Sequence, residues 1–226
     1  KKNSVLCFDH DPNIGGRFSI FSITSLLPLI SIGYSLPKIL KSFLKAKKLF
    51  EKSHTKLMKN ISNIISYERN FNLNILVGLT YHDKMSSINE WYRQIFAESL
   101  GKNKKAINYI SSYGSIDQHS QFQLYIDGPD DKHFIFLKIE NSNKSINTKY
   151  SLIKGFNLIS TLEDGAIKTL QQKNFLVTQI LIKDDFESYS YLIFYLIFDI
   201  YLRAKFNKIN FLDQPAVEIL KKNTRV

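Results

Sequence analysis

Four short blocks of this chain hold residue types suited to acid–base and anion chemistry. In Trp91-Tyr92-Arg93-Gln94-Ile95-Phe96-Ala97-Glu98-Ser99-Leu100-Gly101-Lys102, Gln94 and Glu98 stand four apart. On a helix that spacing puts both on one face. Glu98, just ahead of a Gly-containing turn, could point a carboxylate into a cleft; a solvated glutamate at a helix end has the same spacing. In Ile14-Gly15-Gly16-Arg17-Phe18-Ser19, the Gly-Gly pair lets backbone pass close to a ligand, and Arg17 could set a cationic fork beside it. A tight turn with a surface arginine is the alternative. In Ile116-Asp117-Gln118-His119-Ser120-Gln121-Phe122-Gln123, His119 sits where a polar loop runs into an apolar segment read as a strand. It could be an acid–base group or a structural histidine. In Asp213-Gln214-Pro215-Ala216-Val217-Glu218-Ile219-Leu220-Lys221, Gln214 and Lys221 are two helical turns apart, on one face of a helix or in a frayed polar tail. His10, His54, His82 and His133 lack metal-ligand spacing with Cys7 or with a second histidine, so no metal is expected.

The segments between these blocks alternate in period. Asn74–Tyr81 is a short continuous apolar run, the pattern of a strand buried on both faces. His133–Glu140 and Phe175–Ile182 read as strands, and so does Gln121–Ile126, ahead of the turn Asp127-Gly128-Pro129-Asp130. Phe18–Ile32 reads as a buried helix, and Lys38–Tyr67 as one or two amphipathic helices. Ser87–Phe96, Leu158–Lys173, Glu187–Lys208 and a short segment over Asp213–Lys221 complete the helical set. Strands alternating with helices predict an α/β layer fold with a mostly parallel sheet.

Composition narrows the class. The chain has 226 residues, 44% hydrophobic and 23% charged, enough for a substantial core. It opens Lys1-Lys2-Asn3 without a methionine and reads as a segment of a longer protein. Cys7 is the only cysteine, so no disulfide framework is expected, in keeping with a reducing, cytoplasmic setting. The most apolar run, Tyr191–Phe198, ends at Asp199 and falls far short of the roughly 20 residues that span a bilayer. The net charge of +11 comes from lysines clustered in Lys38–Lys59 and Lys102–Lys105. No aromatic-interleaved basic stripe, zinc-finger pattern or RNP motif accompanies them, so neither nucleic acid nor a membrane is the expected partner.

In their order, from residue 14 to residue 221, the blocks resemble the glucose-6-phosphate isomerase family, most closely its shorter bacterial type. The resemblance is carried by Gly-Gly-Arg-Phe-Ser, by Gln94 with Glu98-Ser99 and Gly101-Lys102, by Asp117-Gln118-His119-Ser120 running to Asp127-Gly128-Pro129, and by Asp213-Gln214-Pro215 with Val217-Glu218 and Lys221. It implies that residues 1–226 form the C-terminal sugar-isomerase (SIS) domain of a two-domain enzyme: a three-layer α/β fold, with a catalytic helix at about 213–222. The upstream SIS domain that holds the substrate phosphate is not among these residues. The implied reaction interconverts D-glucose 6-phosphate and D-fructose 6-phosphate through a cis-enediol, in cytoplasmic glycolysis and gluconeogenesis, without metal or cofactor.

Residue by residue, Glu98 matches the catalytic base and Arg17 the arginine that steadies the enediolate. Lys221 matches the lysine at the ring oxygen. Gly16, Gln94 and Gln214 match substrate-contacting positions. His119 matches the histidine that assists ring opening from the neighbouring subunit of a homodimer. Pro12, Ile23, Ser25 and Leu212 depart from the family pattern, at positions that set local packing. A bifunctional glucose/mannose phosphate isomerase and a sugar-phosphate-binding regulatory SIS domain are the alternatives. Glu98, His119 and Lys221 argue against the regulator, since a sensor needs no base. The segment without its upstream half is expected to be inactive.

Overall fold

The computed structural model of the chain describes residues 7–140 and 158–224. A 3₁₀ turn over Gly16–Phe21 leads into α1 (Ile23–Ser31) and the long α2 (Leu36–Asn70). Next come β1 (Ile75–Thr80), α3 (Asp83–Leu100), β2 (Asn108–Tyr113), α4 (Gly114–Ser120), α5 (Phe122–Asp127) and β3 (Lys132–Ile139). The chain continues through α6 (Leu158–Gln172), β4 (Leu176–Ile182), α7 (Phe186–Asn207) and α8 (Pro215–Thr224). The four strands pair in parallel in the order β2-β1-β3-β4. Parallel neighbours require crossovers, and the helices between strands supply them on both faces.

The strand sequences dictate those two faces, because successive side chains point to opposite sides. Leu76 of β1 and Ile135, Leu137 and Ile139 of β3 pack against Met85, Tyr92, Ile95 and Phe96 of α3 and Leu192, Leu196 and Ile200 of α7. Val77, Leu79, Phe134 and Phe136 turn the other way, onto Phe122 and Tyr125 of α5 and Ala166, Ile167 and Leu170 of α6. On the first side α2 adds a further helix, packing Ile61 and Ile65 against Leu202 of α7. The result is a three-layer α/β fold with the sheet in the middle.

A buried polar network crosses the first face. Glu68 of α2 accepts from both terminal nitrogens of Arg203 (2.6 and 3.0 Å) and bonds Nδ1 of His133 on β3 at 2.7 Å. Arg203 Nε donates to Asp199 at 2.8 Å, and Asp199 also accepts from the Tyr92 hydroxyl of α3. Each buried charge therefore has an opposite charge and hydrogen bonds, the condition for carrying it in a low-dielectric core. The network ties α3 to α2, α7 and β3.

Three sequence expectations are corrected. Phe18–Ile32 is not a buried helix: it divides between the 3₁₀ turn and α1, and no residue of α1 is buried. Gln121–Ile126 is not a strand. Its alternating Phe122, Leu124 and Ile126 mimic one, but the buried pair is Phe122 and Tyr125, three apart, and the segment is α5. His119 accordingly sits on α4 rather than at a loop-to-strand junction. The strand β2 was not foreseen, because Asn108-Tyr109-Ile110-Ser111-Ser112-Tyr113 is polar and lies at the sheet edge.

Candidate active site

Arg17 organises the site. The 3₁₀ turn buries its side chain to 5% exposure, so its donors must all find acceptors. Nε donates to Ser99 Oγ at 3.1 Å, on the last turn of α3. One terminal nitrogen donates to Gln214 Oε1 at 3.0 Å, and the other to the carbonyls of Phe211 (2.8 Å) and Asp213 (3.1 Å). The Trp91 indole closes the clamp from α3 by donating to the Arg17 carbonyl at 3.1 Å. The guanidinium is thus fixed before any ligand arrives.

Glu98 stands beside it. Its carboxylate lies 3.6 Å from an Arg17 terminal nitrogen, and its other oxygen accepts from Gln94 Nε2 at 3.0 Å across the predicted four-residue spacing. The Glu98 side chain keeps 27% of its surface exposed. It is held on two sides and open on the rest. A carboxylate so placed can accept and return a proton, with a fixed cation ready for developing negative charge.

Gly15 and Gly16 lie in this neighbourhood, exposed. A Cβ built at either meets nothing within 4 Å, and neither has a positive φ. The chain's own packing therefore does not demand glycine there; the tight turn before a helix is present, but Arg17 is buried in it rather than lying on the surface.

Of the other expected residues, Gln214 is joined to Glu98 only through the shared Arg17 nitrogen, and Lys221 and His119 do not meet it. Gln214 directly precedes α8, and its carbonyl takes the first helical amide bond, from Val217, at 3.1 Å. It sits at the start of the helix, about two turns ahead of Lys221. Lys221 pairs with Glu218 of its own helix at 2.8 Å in an exposed contact, and no hydrogen bond or ion pair joins it to Glu98 or Arg17. Leu220 of the same helix is 62% exposed.

His119 is exposed on α4. This helix can start where it does because Gly114 passes against Tyr81, whose ring carbons would lie 2.2 Å from an added Cβ. The strands place α4 at their carboxyl ends, whereas α3 returns Glu98 to their amino ends. The 18 residues of α3 span about 27 Å. Glu98 and His119 of one chain therefore face different ends of the sheet.

Sequence reasoning missed the residues that hold the clamp. Ser99 and Lys102 lie within Trp91–Lys102, but no spacing there assigns them a role. Lys102 Nζ reaches the Asp213 carboxylate at 2.5 Å, the Asp213 carbonyl at 2.6 Å and the Asn210 carbonyl. The hydrogen bond from Lys102, helped by its charge, holds the Asp213 carboxyl below its ordinary range. A cavity of about 540 Å³ lies elsewhere, at the carboxyl end of β4, lined by Leu49, Glu140, Lys183, Glu187 and Tyr191. It touches none of the expected site residues.

A glucose-6-phosphate isomerase from Campylobacter jejuni is 35% identical over 233 residues, covering 96% of this chain and 57% of that protein. A probable glucose-6-phosphate isomerase from Methanococcus maripaludis is 30% identical, over 98% of this chain and 53% of its own length. The chain belongs to the glucose-6-phosphate isomerase family. It spans about half the length of the curated relatives it matches. No family model matches it. Among solved structures, a hypothetical protein from Thermus thermophilus superposes with a TM-score of 0.78 at 26% identity, over 93% of this chain and 55% of that one. A glucose-6-phosphate isomerase from Chlamydia trachomatis superposes at 0.73 over 92% of this chain and 46% of that one; at 17% identity it shows the shared fold. Among the described residues no helix is long and apolar enough to cross a membrane.

Proposed function

We propose that the protein carrying this chain interconverts D-glucose 6-phosphate and D-fructose 6-phosphate in the cytoplasm, with Glu98 as the proton-transferring base. The observation that supports this most is the Glu98 carboxylate, held by Gln94 and set 3.6 Å from the buried guanidinium of Arg17. In the open-chain aldose, Glu98 takes the proton from C2. The C2–H electron pair forms the C1=C2 double bond, and the carbonyl pair moves onto the C1 oxygen. Arg17 stabilises that negative charge without reorganising, because its other donors are already committed. A proton then moves from the C2 hydroxyl to the C1 oxygen, and Glu98 returns its proton to C1 as the C2 carbonyl forms. Gly16, Gln94 and Gln214 line the sugar. The open surface at Gly15–Gly16 leaves room for it.

The cyclic sugar opens first, which requires acid and base groups at the ring oxygen and the C1 hydroxyl. Lys221 serves the ring oxygen. Its exposed pair with Glu218 is worth no more than about 1 kcal/mol, too little to keep the ammonium from a bound sugar. His119 serves the site of the partner chain in a homodimer. An upstream SIS domain of the same protein holds the phosphate, and residues 1–226 act as the C-terminal domain.

In the full-length protein, Glu98→Gln should lower kcat by about 100-fold or more. It should also abolish exchange of solvent deuterium into C1 and C2, with the thermal midpoint unchanged. Near-normal turnover in this variant removes Glu98 from the mechanism.

A further inference from the structure

The helix α8 has no buried residue of its own, so its direction is set where its stalk, Asn210–Gln214, leaves the domain. Two cations grip that stalk. Arg17 takes the carbonyls of Phe211 and Asp213 and the side chain of Gln214. Lys102 takes the carbonyls of Asn210 and Asp213 and the Asp213 carboxylate. The Asp213 carboxylate also accepts from Asn210 Nδ2 at 3.1 Å, closing the turn on itself. Lys102 stands just past Gly101, the residue that ends α3, so its cation also lies at the negative end of that helix. Its side chain is only 11% exposed, and its three acceptors match the three donors of an ammonium.

Arg17 and Lys102 are both anchored to the last turn of α3, one through Ser99 and the other by sequence. That turn also carries Glu98. We infer that Lys102 is a positioning residue: by pinning Asp213 and the stalk carbonyls to the end of α3, it fixes α8, and with it Lys221, relative to Glu98. This deepens the isomerase reading and rests on it for its catalytic consequence. The clamp itself rests on the contacts alone. Lys102 is not proposed to touch substrate, since its donors are spent on the stalk.

The test uses the full-length protein. Lys102→Met keeps the apolar stem and removes the ammonium; Lys102→Arg restores a cation. The first readout is chymotryptic cleavage after Phe211 and Leu212, a protease indifferent to lysine. Cleavage should accelerate about tenfold in Lys102→Met, recover at least in part in Lys102→Arg, and stay at the wild-type rate in Glu98→Gln. The second readout is kinetic: kcat on the cyclic sugar should fall about 10- to 100-fold with KM little changed, as expected when a catalytic group is misplaced by about 1 Å. Unchanged cleavage in Lys102→Met overturns the clamp. Faster cleavage with unchanged kcat in an active enzyme overturns the positioning role. A wild-type protein without isomerase activity sinks the isomerase reading instead, and the cleavage rate then decides the clamp by itself.

Discussion

Once water is gone, both oxygens of a carboxylate need partners, and Glu163 on α6 has one for only one of them. Oε2 lies 3.6 Å from the Lys138 ammonium, while Oε1 is buried without a hydrogen bond. Burial raises its pKa from 4.5 to about 7, against the opposing charge of Lys138. The folded state thus holds this proton more tightly than the unfolded chain. The resulting stability is fully present below about pH 4.5 and is lost as pH rises through 7. Glu163→Gln should therefore raise the thermal midpoint at pH 8, by about 1–3 kcal/mol of stability, and change it little at pH 4.5. Calorimetry at the two pH values checks this, and equal shifts at both would contradict the assignment. At the same scale Glu98 illustrates the opposite arrangement: it stays partly open because Arg17 and Gln94 reach it from two sides only.

The elements are locked together by charge as well as by apolar packing. For Glu68 burial is the largest single influence and would raise its pKa. The charge of Arg203, with the hydrogen bonds from His133 and Arg203, outweighs burial and holds the carboxyl at about 2. A folded pKa below the unfolded value contributes stability that is present above about pH 4.5 and lost as pH falls toward 2. Urea unfolding across that window should show the loss. Glu68→Gln should flatten the slope and cost about 3–5 kcal/mol at pH 7, because Arg203 keeps a buried charge with half its partners removed. A variant that keeps the wild-type acid slope would place the titration elsewhere. Through Tyr92 the network also fixes α3 to α7, six residues ahead of Glu98.

At the scale of the whole molecule, a parallel sheet separates the functional groups. Residues following strands, such as His119, collect at its carboxyl ends, and residues ending the return helix α3, such as Glu98, collect at its amino ends. If each site combines Glu98 of one chain with His119 of another, two inactive full-length variants should rescue each other. Co-expressed Glu98→Gln and His119→Ala should regain about a quarter of wild-type activity, since half the dimers are mixed and each holds one intact site of two. No recovery in purified mixed dimers would place His119 in its own chain's site or outside the mechanism.

The sequence by itself determined the layer architecture, since the apolar runs of β1, β3 and β4 and the helical periods of α2, α3, α6 and α7 are local patterns that burial enforces. It also brought Gln94 and Glu98 together, because a four-residue spacing on a helix needs no tertiary information. Where the local pattern was ambiguous it misled. Gln121–Ile126 alternates like a strand yet coils as α5, because Phe122 and Tyr125 find their pocket against Phe134 and Ala166. The polar edge strand β2 had no apolar signal to read. Only the tertiary structure decided that Arg17, 82 residues from Ser99 and 197 from Gln214, would staple the first turn, α3 and the stalk of α8 into one site. Only it showed Lys221 on an exposed helix and Lys102 beneath that helix's stalk. A guanidinium's partners are set by whichever carbonyls and side chains the packed core leaves within hydrogen-bonding distance, and no spacing along the chain records that.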